Sequence, residues 1–331
     1  MTAQPSREPV DARPVAAASA LAREVLDELE RAVVGKRWPL SLVLSAVLAK
    51  GHVLLEDFPG LGKTLAARSL ARVLGLDFAR VQFTPDLLPA DITGSFLYNQ
   101  KEGTFEFRRG PLFTGLLLAD EINRTPPKTQ SALLEAMQER QATVEGETFP
   151  LADPFHVVAT ANPIEYEGTY PLPEAQLDRF LMRVSFGYPS SEEEYDVVQR
   201  RLARRTEEVD LRQVTDADGL REIQQAVETV TVDDTVARYC VDLVTATRHH
   251  ADVLTGSSPR GSLGLALASR GFAVLRGRDY VIPEDVKAVA RPVLSHRITV
   301  KPELWMTQAS GAHVVDAVLA SVPTPRTLEQ R

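Results

Sequence analysis

Residues 52–64 read HVLLEDFPGLGKT, a short apolar run that opens directly into a glycine-rich loop ending in Lys63 and Thr64. That combination suits one chemistry, the grip of a polyphosphate. Gly60 and Gly62 lack side chains, so backbone N–H groups of the loop, which also holds Pro59 and Leu61, can close around phosphate oxygens. Lys63 supplies a cation for the β- and γ-phosphates, and the Thr64 hydroxyl is a ligand for Mg²⁺. A helix is expected over 65–74, its N-terminus facing the phosphates. One position departs from the pattern G-x-x-x-x-G-K-[ST]: Asp57 stands where the first glycine is expected, and aspartate does not take positive φ as freely.

Further chemistry-bearing residues follow at the ends of apolar runs. GLLLADE, residues 115–121, ends in Asp120 and Glu121. An acidic pair at the carboxyl edge of a buried parallel strand lies where α/β folds bind ligands. There Asp120 can hold Mg²⁺ through water, and Glu121 can polarise a water attacking the γ-phosphate. FHVVATANP, residues 155–163, ends in Thr160 and Asn162, a neutral amide suited to holding that water or sensing the γ-phosphate. Taken alone, Asn162 reads as a turn residue ahead of Pro163. In PLPEAQLDRF, residues 171–180, Arg179 offers a fixed charge for a transferring phosphoryl group. A salt bridge involving Asp178 is the alternative for Arg179, and Arg183 is a competing candidate. In GSSPRGSL, residues 256–263, Ser258 caps a helix, Pro259 takes its first position, and Arg260 lies in the first turn, on an end that favours anions.

The elements that must position these groups are legible as a pattern. Apolar strand-like runs at 52–56, 78–84, 115–119 and 155–160 alternate with helical patterns, which argues for a parallel sheet between helices. Helices are expected at 17–34 and 39–50 ahead of the sheet. After Pro189 the signals are helical throughout, at 191–205, 218–228, 232–249, 261–276 and 283–291, with Ser191 as a cap for the first. The division expected is therefore a disordered tail over 1–16, an α/β nucleotide-binding domain over 17–189 and a small all-α domain over 190–331. Two hairpins interrupt the first domain. One spans 97–113 with a turn at Glu102-Gly103 and alternating Phe105 and Phe107; the other spans 141–151 with a turn at Glu145-Gly146.

Bulk properties narrow the setting. The chain has 331 residues, of which 44% are hydrophobic and 25% charged, an ordinary globular balance with enough length for two cores. A net charge of −8 argues against a protein held to nucleic acid by a broad basic surface. The single cysteine, Cys240, excludes an intrachain disulfide and falls on the apolar spacing Val236, Tyr239, Cys240, Leu243, Val244, a core position. No run approaches about 18 apolar residues, so no membrane span is expected. A cytoplasmic location is the default expectation.

The set DFPGLGKT, LLLADEINR, ATANP, PEAQLDRF and SPRGSL resembles the AAA+ ATPases of the MoxR family, in family order and over nearly the whole chain after residue 17. The resemblance implies a P-loop AAA+ core followed by a helical lid, with ATP and Mg²⁺ as ligands. It assigns Lys63 and Thr64 to Walker A and Asp120 and Glu121 to Walker B. It further makes Asn162 sensor 1, Arg179 the arginine finger and Arg260 sensor 2, and it places Val34 and Gly35 near the adenine. The resemblance also implies a homo-oligomeric ring, a hexamer in the family pattern, with the finger supplied by the neighbouring subunit, and the two hairpins resemble segments that face the ring's pore. The implied task is chaperone-like remodelling or assembly of protein complexes, with a von Willebrand factor A domain protein as partner. A nucleic-acid-handling motor of the helicase-related branch is the alternative; acidic Glu102, Glu145 and Glu147 in the hairpins speak against it, while Arg108 and Arg109 speak for it. A third reading, a scaffold that binds ATP without hydrolysing it, sits poorly with Glu121 and Arg179.

Overall fold

The computed structural model describes residues 14–163, 169–170, 172–304 and 310–325. Most of the tail expected at 1–16 lies outside them, but Val15 and Ala16 already belong to the first helix, α1 (Val15–Ala32), which is followed by α2 (Arg37–Leu48). The sheet region then runs β1 (Val53–Glu56), α3 (Lys63–Val73), β2 (Phe78–Gln82), α4 (Pro89–Thr93), the hairpin β3 (Gly94–Asn99) and β4 (Thr104–Arg109), β5 (Leu116–Asp120), α5 (Pro127–Glu139), the hairpin β6 (Gln141–Val144) and β7 (Glu147–Pro150), β8 (His156–Ala161), α6 (Glu174–Leu177) and β9 (Met182–Val184).

Strands β2, β5, β8, β1 and β9 form, in that order, one five-stranded sheet whose neighbours are all parallel. Strands β5 and β8 are buried at every residue and β1 at all but its last, as expected of runs of Val, Leu and Ala covered on both faces. Strand β9 is the element the sequence pattern did not announce. It is only three residues long and carries Arg183 at its centre, so no apolar run marks it. Helices cover both faces. One apolar core joins α1, α2, α3 and one sheet face to the helices that follow Pro189; the other lies beneath α5 on the opposite face, around Phe83, Leu133, Phe155 and Phe180.

Both predicted hairpins form, although the strands of the first run over Gly94–Asn99 and Thr104–Arg109 rather than within 97–113, joined by the four residues 100–103. In the second, Glu145 and Gly146 take φ of 51° and 87°, the two positive values that a tight two-residue turn demands. The hairpins are not independent: Phe107 of β4 stacks on Phe149 of β7 with ring centroids 4.0 Å apart, and Phe96 and Phe113 close the cluster. Tyr98 and Phe105 form a second, exposed ring pair on the first hairpin.

Beyond β9 the chain forms α7 (Ser191–Arg204), α8 (Ala217–Glu228), α9 (Asp234–His249), β10 (Val253–Thr255), α10 (Pro259–Leu275), α11 (Pro283–Leu294), β11 (Thr299–Val300) and α12 (Gly311–Ser321). Three expectations need correction. The cap of α7 is Ser190, not Ser191: its hydroxyl accepts the Glu193 N–H at 3.2 Å while the Glu193 carboxylate accepts the Ser190 N–H at 2.8 Å, a reciprocal capping box. The region is not wholly helical, since β10 and β11 pair antiparallel, strands too short to show an alternating pattern. Helix α12 was missed because its buried stripe is only Val314, Val315 and Val318. Cys240 is a core residue, as expected, and burial pushes its thiol up to about 12, which leaves it unreactive. Among the described residues, no helix is long and apolar enough to cross a membrane.

Two buried histidines tie the sheet to its surroundings. His156 donates from Nδ1 to the Gly51 carbonyl at 3.0 Å and presents Nε2 to the Gln224 amide of α8 at 3.1 Å. His52 accepts the Val157 N–H on Nδ1 at 3.0 Å and donates from Nε2 to the Met137 carbonyl at 3.2 Å. Each uses both nitrogens as a neutral ring. Burial, reinforced by Arg140 nearby, lowers the pKa of His52 to about 3 and of His156 to about 4. The unfolded chain takes up these protons near pH 6.5 and the folded chain does not, so the stabilisation is complete above about pH 6.5 and lost as pH falls toward 4. Chemical denaturation as a function of pH should show stability falling by about 1.4 kcal/mol per pH unit per histidine below pH 6. Replacing His156 by Gln should flatten that slope; an unchanged slope would remove His156 from the account.

Candidate nucleotide site

The loop after β1 adopts the conformation that its glycines permit. Gly60 and Gly62 sit at φ of 82° and 83°, where a side chain would be strained, and the space over both is open. Gly62 is the residue before α3, so the first N–H groups of that helix face the cleft mouth. Lys63 turns its ammonium back onto the carbonyls of Asp57 and, at 3.4 Å, Ala161 at the end of β8. Asp57 does not occupy positive φ, so the concern raised by its type does not arise. Pro59, Gly60, Gly62, Lys63 and Thr64 line a cleft of about 350 Å³ with Asp120, Glu121, Thr160 and Asn162; Leu61 shares the loop but not the lining.

The acidic pair is held by a network that crosses three strands. Thr160 of β8 gives its hydroxyl proton to Asp120 Oδ1 at 2.6 Å, and the Thr160 hydroxyl oxygen accepts the Glu121 N–H at 2.8 Å. Glu121 takes a left-handed φ of 57°, an unfavourable conformation for a side chain with a Cβ, and that hydrogen bond fixes it there. Asp120 Oδ2 accepts from Arg80 Nε at 3.0 Å and Nη2 at 2.7 Å and lies 3.4 Å from the Thr64 hydroxyl. Glu121 Oε2 accepts from the Gln82 amide at 2.6 Å and pairs with Arg124 at 3.1 Å. Arg80 and Gln82, both on β2, line the cleft but went unnoticed in the sequence. Their signal was polar residues at alternate positions in a strand-like run; what they touch follows only from the pairing of β2 with β5.

Asn162 follows β8 directly and lines the cleft, buried, with its carbonyl 3.4 Å from the Asn123 side-chain amide. Thr64 and Asp120 provide hard oxygen donors on one side of the cleft, and the described residues contain no cluster of three or more metal-binding side chains. That donor set fits Mg²⁺ carried in by phosphates, which needs only one or two protein oxygens beside them.

Three expected site residues stand outside this cleft. Gly35 has φ of 71° and packs against the Glu193 side chain, where α7 begins. Arg179 and Arg260 lie toward the opposite, amino-terminal edge of the sheet: the Leu181 N–H bonds the His52 carbonyl at 2.9 Å, one residue before β1 starts. Asp178 gathers the residues there. Its Oδ1 accepts from Arg297 Nε at 2.7 Å; its Oδ2 faces the Ser258 hydroxyl at 3.3 Å and Arg260 at 3.7 Å. Arg297, with a side chain 4% exposed, also donates to the carbonyls of Phe180 at 2.7 Å and Leu181 at 3.2 Å. No sequence signal marked Arg297, yet it fastens the helical region to the segment carrying Arg179. Arg260 does not line the cleft of its own chain. Arg183 is committed internally, to Glu56 at 3.1 Å and Ser295 at 3.5 Å. Ser258 does cap α10, accepting the Arg260 N–H at 3.2 Å.

Known proteins share this arrangement. Residues 52–182 match the family model described as ATPase family associated with various cellular activities (AAA), and residues 245–318 match an AAA lid domain. The protein called YeaC of Bacillus subtilis is 49% identical over 91% of this chain and 94% of its own length. Chaperone MoxR1 of Mycobacterium tuberculosis is 43% identical over 97% of this chain and 88% of its own. A crystal structure from Cytophaga hutchinsonii, of a protein taken to be an ATPase, superposes with a TM-score of 0.87 at 40% identity, covering 94% of this chain and 97% of that one. With an AAA+ sheet, a helical lid and this extent of likeness, the chain belongs to the MoxR family of AAA+ ATPases.

Proposed function

We propose that this protein hydrolyses ATP with Mg²⁺ at the interfaces of a homo-oligomeric ring, in the cytoplasm, and uses the turnover to remodel or assemble protein complexes. The observation that carries the hydrolytic part is the array around Thr160, which holds one carboxylate beside Thr64 and presents a second from a strained backbone position. A fold that only bound nucleotide would not need the second.

The residues divide the work as follows. Loop N–H groups and Lys63 bind the β- and γ-phosphates. Thr64 and, through water, Asp120 would hold Mg²⁺, whose charge would neutralise that of the phosphates. Glu121 takes a proton from the attacking water, and Asn162 orients that water. Gln82 and Arg124 share Glu121 Oε2, so the carboxylate must loosen from them to act as a base. Arg179 supports the transition state of the neighbouring subunit's nucleotide. Among the described residues its Nε has no hydrogen-bond partner, whereas Arg183 is already paired. Arg260 shares Asp178 with Arg297 and projects from that same side. Gly35 serves the adenine side of the cradle. The ring is a hexamer by family pattern, the stacked hairpins touch the client, and a von Willebrand factor A domain protein is the partner class the resemblance suggests. Arg109 lies over the Phe113 ring at 5.3 Å, which occupies one of the two arginines that would favour nucleic acid.

Steady-state ATPase assays with nucleotide-binding controls test the chemistry. Glu121→Gln should bind ATP normally and lose turnover by roughly 10²-fold or more; full activity would sink the base assignment. Thr160→Val, which fits the same space without the bridging hydroxyl, should lose about 10- to 100-fold in activity while the fold persists. Arg179→Ala should be roughly 10³-fold slower, yet regain activity when its subunits are mixed with Lys63→Ala subunits, because each supplies what the other lacks. No recovery in mixed assemblies would count against the shared site. Affinity capture with Glu121→Gln should retain a protein client; recovery of nucleic acid instead would overturn the remodelling role.

A further inference from the structure

The phosphate loop's one departure from its motif is explained by what Asp57 holds. The residue is 6% exposed, and its carboxylate faces the chain where β9 gives way to the helical region. Phe186 donates its backbone N–H to Oδ2, Ser185 donates its hydroxyl to Oδ1 at 2.8 Å, and the Gly187 N–H lies 3.4 Å from both oxygens. The carbonyl of Asp57 meanwhile accepts from the Lys63 ammonium. One residue therefore joins the lysine of the phosphate site to the linker.

Neighbouring contacts fall on the same linker. Phe58 stacks on Tyr188 with centroids 5.7 Å apart and planes at 29°, and Lys36 donates to the Tyr188 carbonyl at 3.1 Å. Two residues further on, Ser190 caps α7. The segment from Ser185 to Ser190 is gripped from the nucleotide side by the loop and by residues before α2.

We propose that Asp57 is a positioning residue that makes the phosphate loop and the linker into the lid one mechanical unit, so that loop geometry set by nucleotide is passed to α7 and the helices that carry Arg260. A glycine at position 57 would complete the ordinary loop motif and sever this connection, because it supplies no acceptor for Ser185, Phe186 or Gly187. The loop backbone would remain free to bind phosphate. The inference rests on the ATP reading above.

The test compares full-length Asp57→Gly and Asp57→Asn with the unaltered protein by titration of a fluorescent ATP analogue, steady-state hydrolysis and hydrogen–deuterium exchange. In Asp57→Gly, analogue affinity should stay within about threefold while kcat falls about tenfold, a split that separates coupling from binding. Exchange over 185–190 should speed about tenfold while that of β5 is unchanged, and nucleotide should no longer alter exchange in α7. Asp57→Asn, which keeps an oxygen for the Phe186 N–H, should restore part of both effects. Unaltered linker exchange in Asp57→Gly overturns the proposal, whether or not affinity or turnover changes. Where the glycine variant does not fold, the same exchange comparison on Asp57→Asn decides it. Failure of the unaltered protein to bind the analogue would sink the ATP reading instead, and linker exchange without nucleotide would still report on Asp57.

Discussion

The parallel registration of β5, β8 and β1 is the constraint from which the rest of this protein follows. Parallel neighbours end on the same side of a sheet, so the groups that leave those ends, Asp120 and Glu121, Thr160 and Asn162, and the loop through Lys63, meet in one cleft. Apolar runs of Val, Leu and Ala keep the strands buried and leave little freedom to slip. Within that frame the Thr160 hydroxyl does two jobs at once, as donor to one strand end and acceptor from the next residue. Its small size lets both bonds be made inside a buried space.

The same sheet also separates two groups of charged residues. A strand of a few residues spans more than 10 Å, and the arginines outside the cleft lie toward the edge away from the phosphate loop. Asp178 and Arg297 bind that edge to the helical region, with Arg297 buying its burial by donating to a carboxylate and several carbonyls together. The lid is thus attached at several places, among them Asp178 at one sheet edge, Gln224 against His156, and the β9 linker near the phosphate loop. Shared apolar packing across α1, α2 and α10 makes the helical part continuous with the core on one sheet face.

Much of this was legible beforehand, and the legible part has a common character. Phosphate loops, capped helix starts and tight hairpin turns are local: the required residues lie within a few positions, so spacing alone reports them. The buried strands were legible for the same reason, as uninterrupted apolar runs. What escaped was short or distant. Strands β9, β10 and β11 have too few residues for a period to show. The displacement of the α7 cap by one residue turned on which of two adjacent serines faces Glu193, a choice that backbone direction makes.

By itself, the sequence determined the chemistry on offer: a loop able to hold phosphate, an acidic pair and an amide at strand ends, and arginines beyond them. Only the tertiary structure decided which groups act together. Arg80 and Gln82 meet the acidic pair across strands, Arg297 reaches Asp178 from the far end of the chain, and Asp57 takes donors from residues past β9. Each of these is a hydrogen bond or ion pair between segments remote in the chain, whose geometry exists only once the sheet has set its register and the apolar cores have brought the helices against it.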